Sequence, residues 1–168
     1  MVRKNSNKKF DKNGELATAG KVDQLILNHA IDNFKINSYS HSLDIKNFDV
    51  SFARGLSLED GCATVTDFTA YLIAEGLKYI SQKNSITFLL CGGGRKNINL
   101  IDCIKNYLIN EKNITLDIID NYNLKGDYIE SQAFAFLAIR SFLNLPISFN
   151  STTGCKGFTV GGKLVENF

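Results

Sequence analysis

The run Ile86-Thr87-Phe88-Leu89-Leu90-Cys91 stops dead at Gly92, Gly93 and Gly94. A short apolar run closed by glycines marks a buried strand that ends in a turn. Helical spacing resumes at once after Asn97, through Ile98, Leu100, Ile101, Ile104 and Leu108. Strand, tight turn and helix in so few residues leave few architectures open. The pattern then repeats. Ile114 to Ile119 reads as a second strand and 121–126 as a loop. Residues 127–143 read as a long helix with a small-and-aromatic face at Ala133, Phe134, Phe136, Leu137 and Ala138. A last strand is expected over 157–164. Such alternation predicts an α/β fold, a mostly parallel sheet with covering helices.

The segment ahead of that unit is helical and irregular. Residues 1–19 are polar, with a turn at Asn13-Gly14. Over 21–34 the residues Val22, Leu25, Ile26, His29, Ala30 and Ile31 recur at helical spacing, and 35–56 are rich in Ser and Asn. Ser57, with Asp60 three residues on, predicts a capped helix start. Its buried stripe would be Val65, Phe68, Leu72, Ile73, Leu77 and Ile80. A length of 168 residues suits one domain, with 1–56 as a lead-in and 57–168 as the α/β part.

Composition excludes several classes. A hydrophobic fraction of 44% rules out wholesale disorder. No apolar stretch approaches the roughly 18–20 residues that span a bilayer, and no apolar signal core follows the basic start MVRKNSNKKFDKNG. A net charge of +2 is too balanced for bulk attraction to phosphate backbones, so no nucleic-acid partner is expected. The four cysteines, Cys62, Cys91, Cys103 and Cys155, show no CxxC pair, and the histidines are two, His29 and His41. No metal site is expected; reduced, buried cysteines in the cytoplasm are.

Two places could carry chemistry. Gly92, Gly93 and Gly94 let the backbone approach a ligand closely, and the free N–H groups of the next helix suit a phosphate. Asn97 stands at that helix start. The spacing is neither GxxxxGK[ST] nor GxGxxG, so the residues on their own favour a tight structural turn over a phosphate site. In the second loop Asp120 closes a strand while Asp127 and Glu130 open a helix. Acidic residues there complement the helix dipole; alternatively Glu130 faces a crevice and accepts hydrogen bonds from sugar hydroxyls.

The segments LLCGGGRKN and DYIESQAFAFLAIRSFLNLP, with Asp120 ten residues before Glu130, resemble the carboxyl-terminal half of the anhydro-N-acetylmuramic acid kinase family, with its CGGG-x-x-N turn and EAxAFAxLA helix. Leu145-Pro146 and the TGA-like turn Thr153-Gly154-Cys155 follow in order. Upstream, FDKNGELATAGKVD, HSLDIKNFD and GLSLEDGCATVTDFTA resemble the family's YDxxGxxAxxGKVD, KSLDRxxFD and LSPEDxxATLTxFTA segments. The departures are His41 for a lysine, Asn123 for a glycine, Ser131 for an alanine and Cys155 for the alanine of TGA.

The resemblance implies a carboxyl-terminal ribonuclease-H-like domain of the actin and sugar-kinase superfold, with additional helices. It implies a cytoplasmic enzyme of cell-wall recycling that uses ATP and Mg2+. In the family, water activated by an aspartate opens 1,6-anhydro-N-acetylmuramic acid and O6 receives the γ-phosphoryl group. It assigns Gly92, Gly93, Gly94 and Asn97 to the nucleotide and Glu130 to the sugar. No segment here resembles the family's GTSxDG phosphate loop, its DTGPGN stretch or the segment of the catalytic aspartate, so no catalytic residue is assigned. The expectation is a truncated or split member, inactive alone, that pairs with a separately encoded amino-terminal half. A homodimer is also in keeping with the family. The alternatives are a non-catalytic nucleotide-binding or interaction module, or a degenerate remnant.

Overall fold

A computed structural model describes residues 2–34, 48–81 and 84–165. Nine regular elements lie in these residues: α1 (Val2–Asn5), α2 (Glu15–Ala19), α3 (Gln24–Asn33), α4 (Leu58–Ser81), β1 (Ile86–Leu90), α5 (Ile98–Tyr107), β2 (Ile114–Ile118), α6 (Ile129–Phe142) and α7 (Asn150–Thr153). The fold is α/β with a small parallel sheet. β1 and β2 pair in parallel, Ile86 opposite Ile114 through Leu90 opposite Ile118.

Local signals set the boundaries. The turn at Asn13-Gly14 forms with both residues at positive φ, 57° and 78°. The Asp11 carboxylate then accepts from the N–H groups of Leu16 and Ala17, opening α2. Asp23 caps α3 through Ile26 N–H. Ser57 Oγ accepts from Asp60 N–H at 3.0 Å, the expected cap of α4.

α4 is the spine against which α1, α2, α3, α5 and β2 pack. Its Ala70 and Ala74, fully buried, meet Ile104 and Leu108 from α5 and its end. Ile114 and Leu116 of β2 pack against the same cluster. Two smaller clusters join α4 to the lead-in. Leu16 and Ala17 sit on Cys62, and Leu27 and Ala30 sit on Phe68. Phe34 and Phe52 meet the Phe68 ring edge-on. Buried Thr64 is satisfied: its Oγ1 accepts from Asp23 N–H and donates to the Asp60 carbonyl.

Several expectations change. On α4 Phe68 is buried as expected, but Cys62, Ala63, Thr64, Ala70 and Ala74 are buried beside it, whereas Ile73 and Ile80 face outward. Small alanines let α5 approach closely, and that preference is invisible to a search for large apolar residues. On α3 the buried leucine is Leu27, and Leu25 is 81% exposed. Among the cysteines only Cys62 is buried; Cys91 is exposed and Cys103 and Cys155 are intermediate, all as free thiols. No strand forms over 157–164; only Thr159 bridges Ser148, antiparallel. Gly157, Gly161 and Gly162 lower the strand preference of that stretch. His41 and most of the irregular 35–56 segment lie outside the described residues.

Candidate functional site

The two strand ends carry the loops singled out above. β1 ends at Leu90, and the chain turns through Gly92 with φ 72° and ψ −173°, a conformation that L side chains avoid. A side chain on Gly93 or Gly94 would meet nothing within 4 Å. Neither backbone strain nor packing therefore explains the second and third glycines. They leave open space beside the backbone at the carboxyl end of a parallel strand, where α/β sheets bind ligands.

Asn97 has a defined structural task. Its Oδ1 accepts from Leu100 N–H at 3.0 Å and caps α5. A short 3-10 turn over Gly93–Lys96 leads into the helix, whose first residues pack on the lead-in: a Cβ at Gly14 would lie 2.1 Å from Asn97 Oδ1, and Asn99 Nδ2 donates to Thr18 Oγ1 at 3.3 Å.

Arg95 ties the two loops together. Its Nε donates to Asp120 Oδ2 at 2.7 Å and its Nη2 to Asp120 Oδ1 at 3.2 Å. Its Nη1 donates to Asp127 Oδ1 at 2.7 Å and to the Gly92 carbonyl at 2.8 Å. The Arg95 side chain is 7% exposed. Gly92 N–H also donates to the Gly126 carbonyl at 3.0 Å. Gly126 makes room for this arrangement, since a Cβ there would lie 2.4 Å from Arg95 Nε. Arg95, then Lys96, pulls the Asp127 carboxyl down to about 2, and Arg95 holds Asp120 below the usual carboxylate range. Sequence spacing gave no sign of this clamp. Asp120 and Asp127 were read as acids at a strand end and a helix start, and their cation stands 25 and 32 residues away.

Comparison with known proteins gives the family. The model of the anhydro-N-acetylmuramic acid kinase family matches residues 1–167. The chain belongs to the anhydro-N-acetylmuramic acid kinase family. It is 48% identical to the anhydro-N-acetylmuramic acid kinase of Pelagibacter ubique (strain HTCC1062), over 99% of this chain and 45% of that protein. Kinases of the same name match from Rhizobium rhizogenes (35% identity, 94% of this chain and 41% of the relative) and Brucella anthropi (34%, 98% and 43%). The chain thus spans less than half the length of the curated relatives it matches.

The other positions that the sequence resemblance singles out fall elsewhere. Glu130 is exposed in the first turn of α6. Cys155 follows α7, and the hydroxyls of Thr153, Ser148 and Thr159 hold its thiol below the ordinary range. Among the described residues no three His, Cys, Asp or Glu side chains converge to hold a metal ion. Mg2+ is assigned no ligand here. No helix among them is long and apolar enough to cross a membrane.

Proposed function

We propose that this chain forms the nucleotide-facing part of an ATP-dependent anhydro-N-acetylmuramic acid kinase, in a ribonuclease-H-like domain of the sugar-kinase superfold spanning residues 1–168. The observation that carries this reading is the open space at Gly93 and Gly94 behind a Gly92 forced to positive φ. Backbone N–H groups of the turn and of the α5 start would meet phosphate oxygens there. Asn97 fixes the α5 start that supplies those groups. Arg95 keeps the turn in place by holding the Gly92 carbonyl. Glu130 is proposed to face the sugar, and ATP would arrive with Mg2+ on its phosphates in the cytoplasm.

Phosphoryl transfer depends on groups that position the phosphates and the nucleophile. The 168 residues contain nothing resembling GTSxDG or the segment of the catalytic aspartate. A general base alone contributes about 10²–10⁴-fold. The chain by itself is therefore proposed to bind nucleotide weakly and to lack transfer activity.

The test is phosphate transfer by the purified chain with Mg-ATP and 1,6-anhydro-N-acetylmuramic acid, following the sugar phosphate by mass, beside ATP titration of the backbone amides of 92–97. Amide shifts without product support the proposal. Product at an enzyme-like rate contradicts the assignment of the essential chemistry to the rest of the family's length. Absence of any shift removes the nucleotide assignment of the glycine turn.

A further inference from the structure

Asn97 is a joint between two elements. Its backbone N–H donates to the Gly94 carbonyl at 3.0 Å and closes the turn Gly93–Lys96. Its own carbonyl accepts from Ile101 N–H at 3.1 Å, and its Oδ1 accepts from Leu100 N–H, so the same residue opens α5. A displacement of Asn97 therefore passes directly into the glycine turn.

The group that seats this joint comes from the other end of the sequence. The turn Lys12–Gly14 packs on the start of α5, and buried Gly14 is the point of contact. A Cβ on Gly14 would stand 2.1 Å from Asn97 Oδ1, 3.0 Å from Asn97 Cγ and 2.9 Å from Asn99 Cβ. All three lie inside van der Waals contact. Thr18 adds a polar tie. Its Oγ1 accepts from Asn99 Nδ2 and donates to the Gly14 carbonyl at 2.8 Å.

The lead-in is itself anchored. Asp11 caps α2 through Leu16 and Ala17, which pack on buried Cys62 of α4. Farther on, Lys21 N–H donates to Asp60 Oδ1 at 2.8 Å, in the first turn of α4. Residues 11–21 thus bridge the starts of α4 and α5. A second glycine shows what Gly14 adds. Gly55 has φ 91° with nothing within 4 Å of a Cβ, so it serves backbone conformation alone. Gly14, at φ 78°, serves backbone conformation and close approach together.

We infer that Gly14 is a positioning residue for the nucleotide-facing turn: supported by Thr18 and Asn99, it seats Asn97 and so sets the pose of residues 92–97. The inference rests on the proposed nucleotide reading and deepens it, by naming what aims the turn.

The experiment uses the full 168-residue chain. Hydrogen exchange is read at the Leu100 amide, and Mg-ATP is titrated against the amides of 93–97. Gly14→Ala should accelerate Leu100 exchange about tenfold, through loss of the cap. It should also weaken ATP at least about tenfold, through misplacement of the turn. Gly55→Ala imposes comparable backbone strain without the contact, and should leave both readouts unchanged. Asn97→Ser keeps a capping oxygen on a shorter side chain. In that background the effect of Gly14→Ala should shrink severalfold, a coupling that strain at Gly14 alone does not give. Thr18→Val, at an exposed position, decides the matter if Gly14→Ala does not fold. It should speed Leu100 exchange about threefold, and Thr18→Ser should restore it. Equal effects of Gly14→Ala and Gly55→Ala would overturn the inference. So would additivity of Gly14→Ala with Asn97→Ser, a silent Thr18→Val, or faster exchange with ATP affinity unchanged. The nucleotide reading is scored separately on the unsubstituted chain. Coupling in exchange with no ATP shift there retires that reading and leaves the seating of Asn97 by Gly14 standing; ATP shifts without coupling do the reverse.

Discussion

α5 and α6 each follow a strand and are each rich in apolar residues, but only one of them is packed. α5 places Ile101 and Ile104 in the core, at 8% and 2% exposure. α6 is longer, 14 residues against 10, and buries none. The difference is one of supply. α5 has the alanines of α4 and the inner face of β2 within reach. α6 has apolar side chains and nothing among the described residues broad enough to receive them. A helix can be fully specified by its own sequence and still lack the layer that makes it part of a core.

Truncation gives the largest effect that sharpens this contrast. Ile104→Ala should cost about 2–5 kcal/mol in urea unfolding, whereas Phe134→Ala should stay within about 0.5 kcal/mol. Equal costs would mean that α6 is packed in solution. Hydrogen exchange follows: amides of α5 should be protected about 10²-fold more than those of α6, because an isolated helix of this length is marginal in water. Next comes the clamp. Arg95→Lys keeps the charge but loses the fork that holds Asp120 and Asp127 at once. Exchange at Gly92 and Gly126 should accelerate severalfold, with the unfolding midpoint nearly unchanged. The smallest effect is a titration. The folded Asp127 carboxyl lies near 2, below its unfolded value. Its contribution is complete above about pH 4 and fades as the pH falls through about 2. Asp127 is half exposed, so salt and water screen much of that contribution. Carbon-13 titration of Asp127 should place the midpoint there, and Arg95→Ala should move it upward.

Much of the α/β unit was legible because its signals are local. The apolar run before Gly92, the helical period after Asn97 and the cap at Ser57 each appear where the sequence placed them. The core of α4 was less legible, since Ala70 and Ala74 are chosen for closeness rather than size. The expected strand over 157–164 did not form beyond its bridge at Thr159. Its apolar residues Phe158, Val160 and Leu164 stand 46–76% exposed, and among the described residues only Ser148 pairs with this stretch. Of the candidate site, the glycine turn was visible from the apolar run that ends in three glycines. The role of Asn97 as a cap needed the Leu100 hydrogen bond to be seen. The Arg95 clamp was unreadable, because its partners come together only when the two loops meet.

That clamp also has a mechanical side. One guanidinium grips the Gly92 carbonyl and Asp127 together, just where the chain enters α6. The glycine turn and the root of α6 are geared to each other. A tilt of α6 drags on the turn unless a charge-assisted bond breaks. Any tilt of α6 therefore reaches the turn through Arg95, which acts as the pivot.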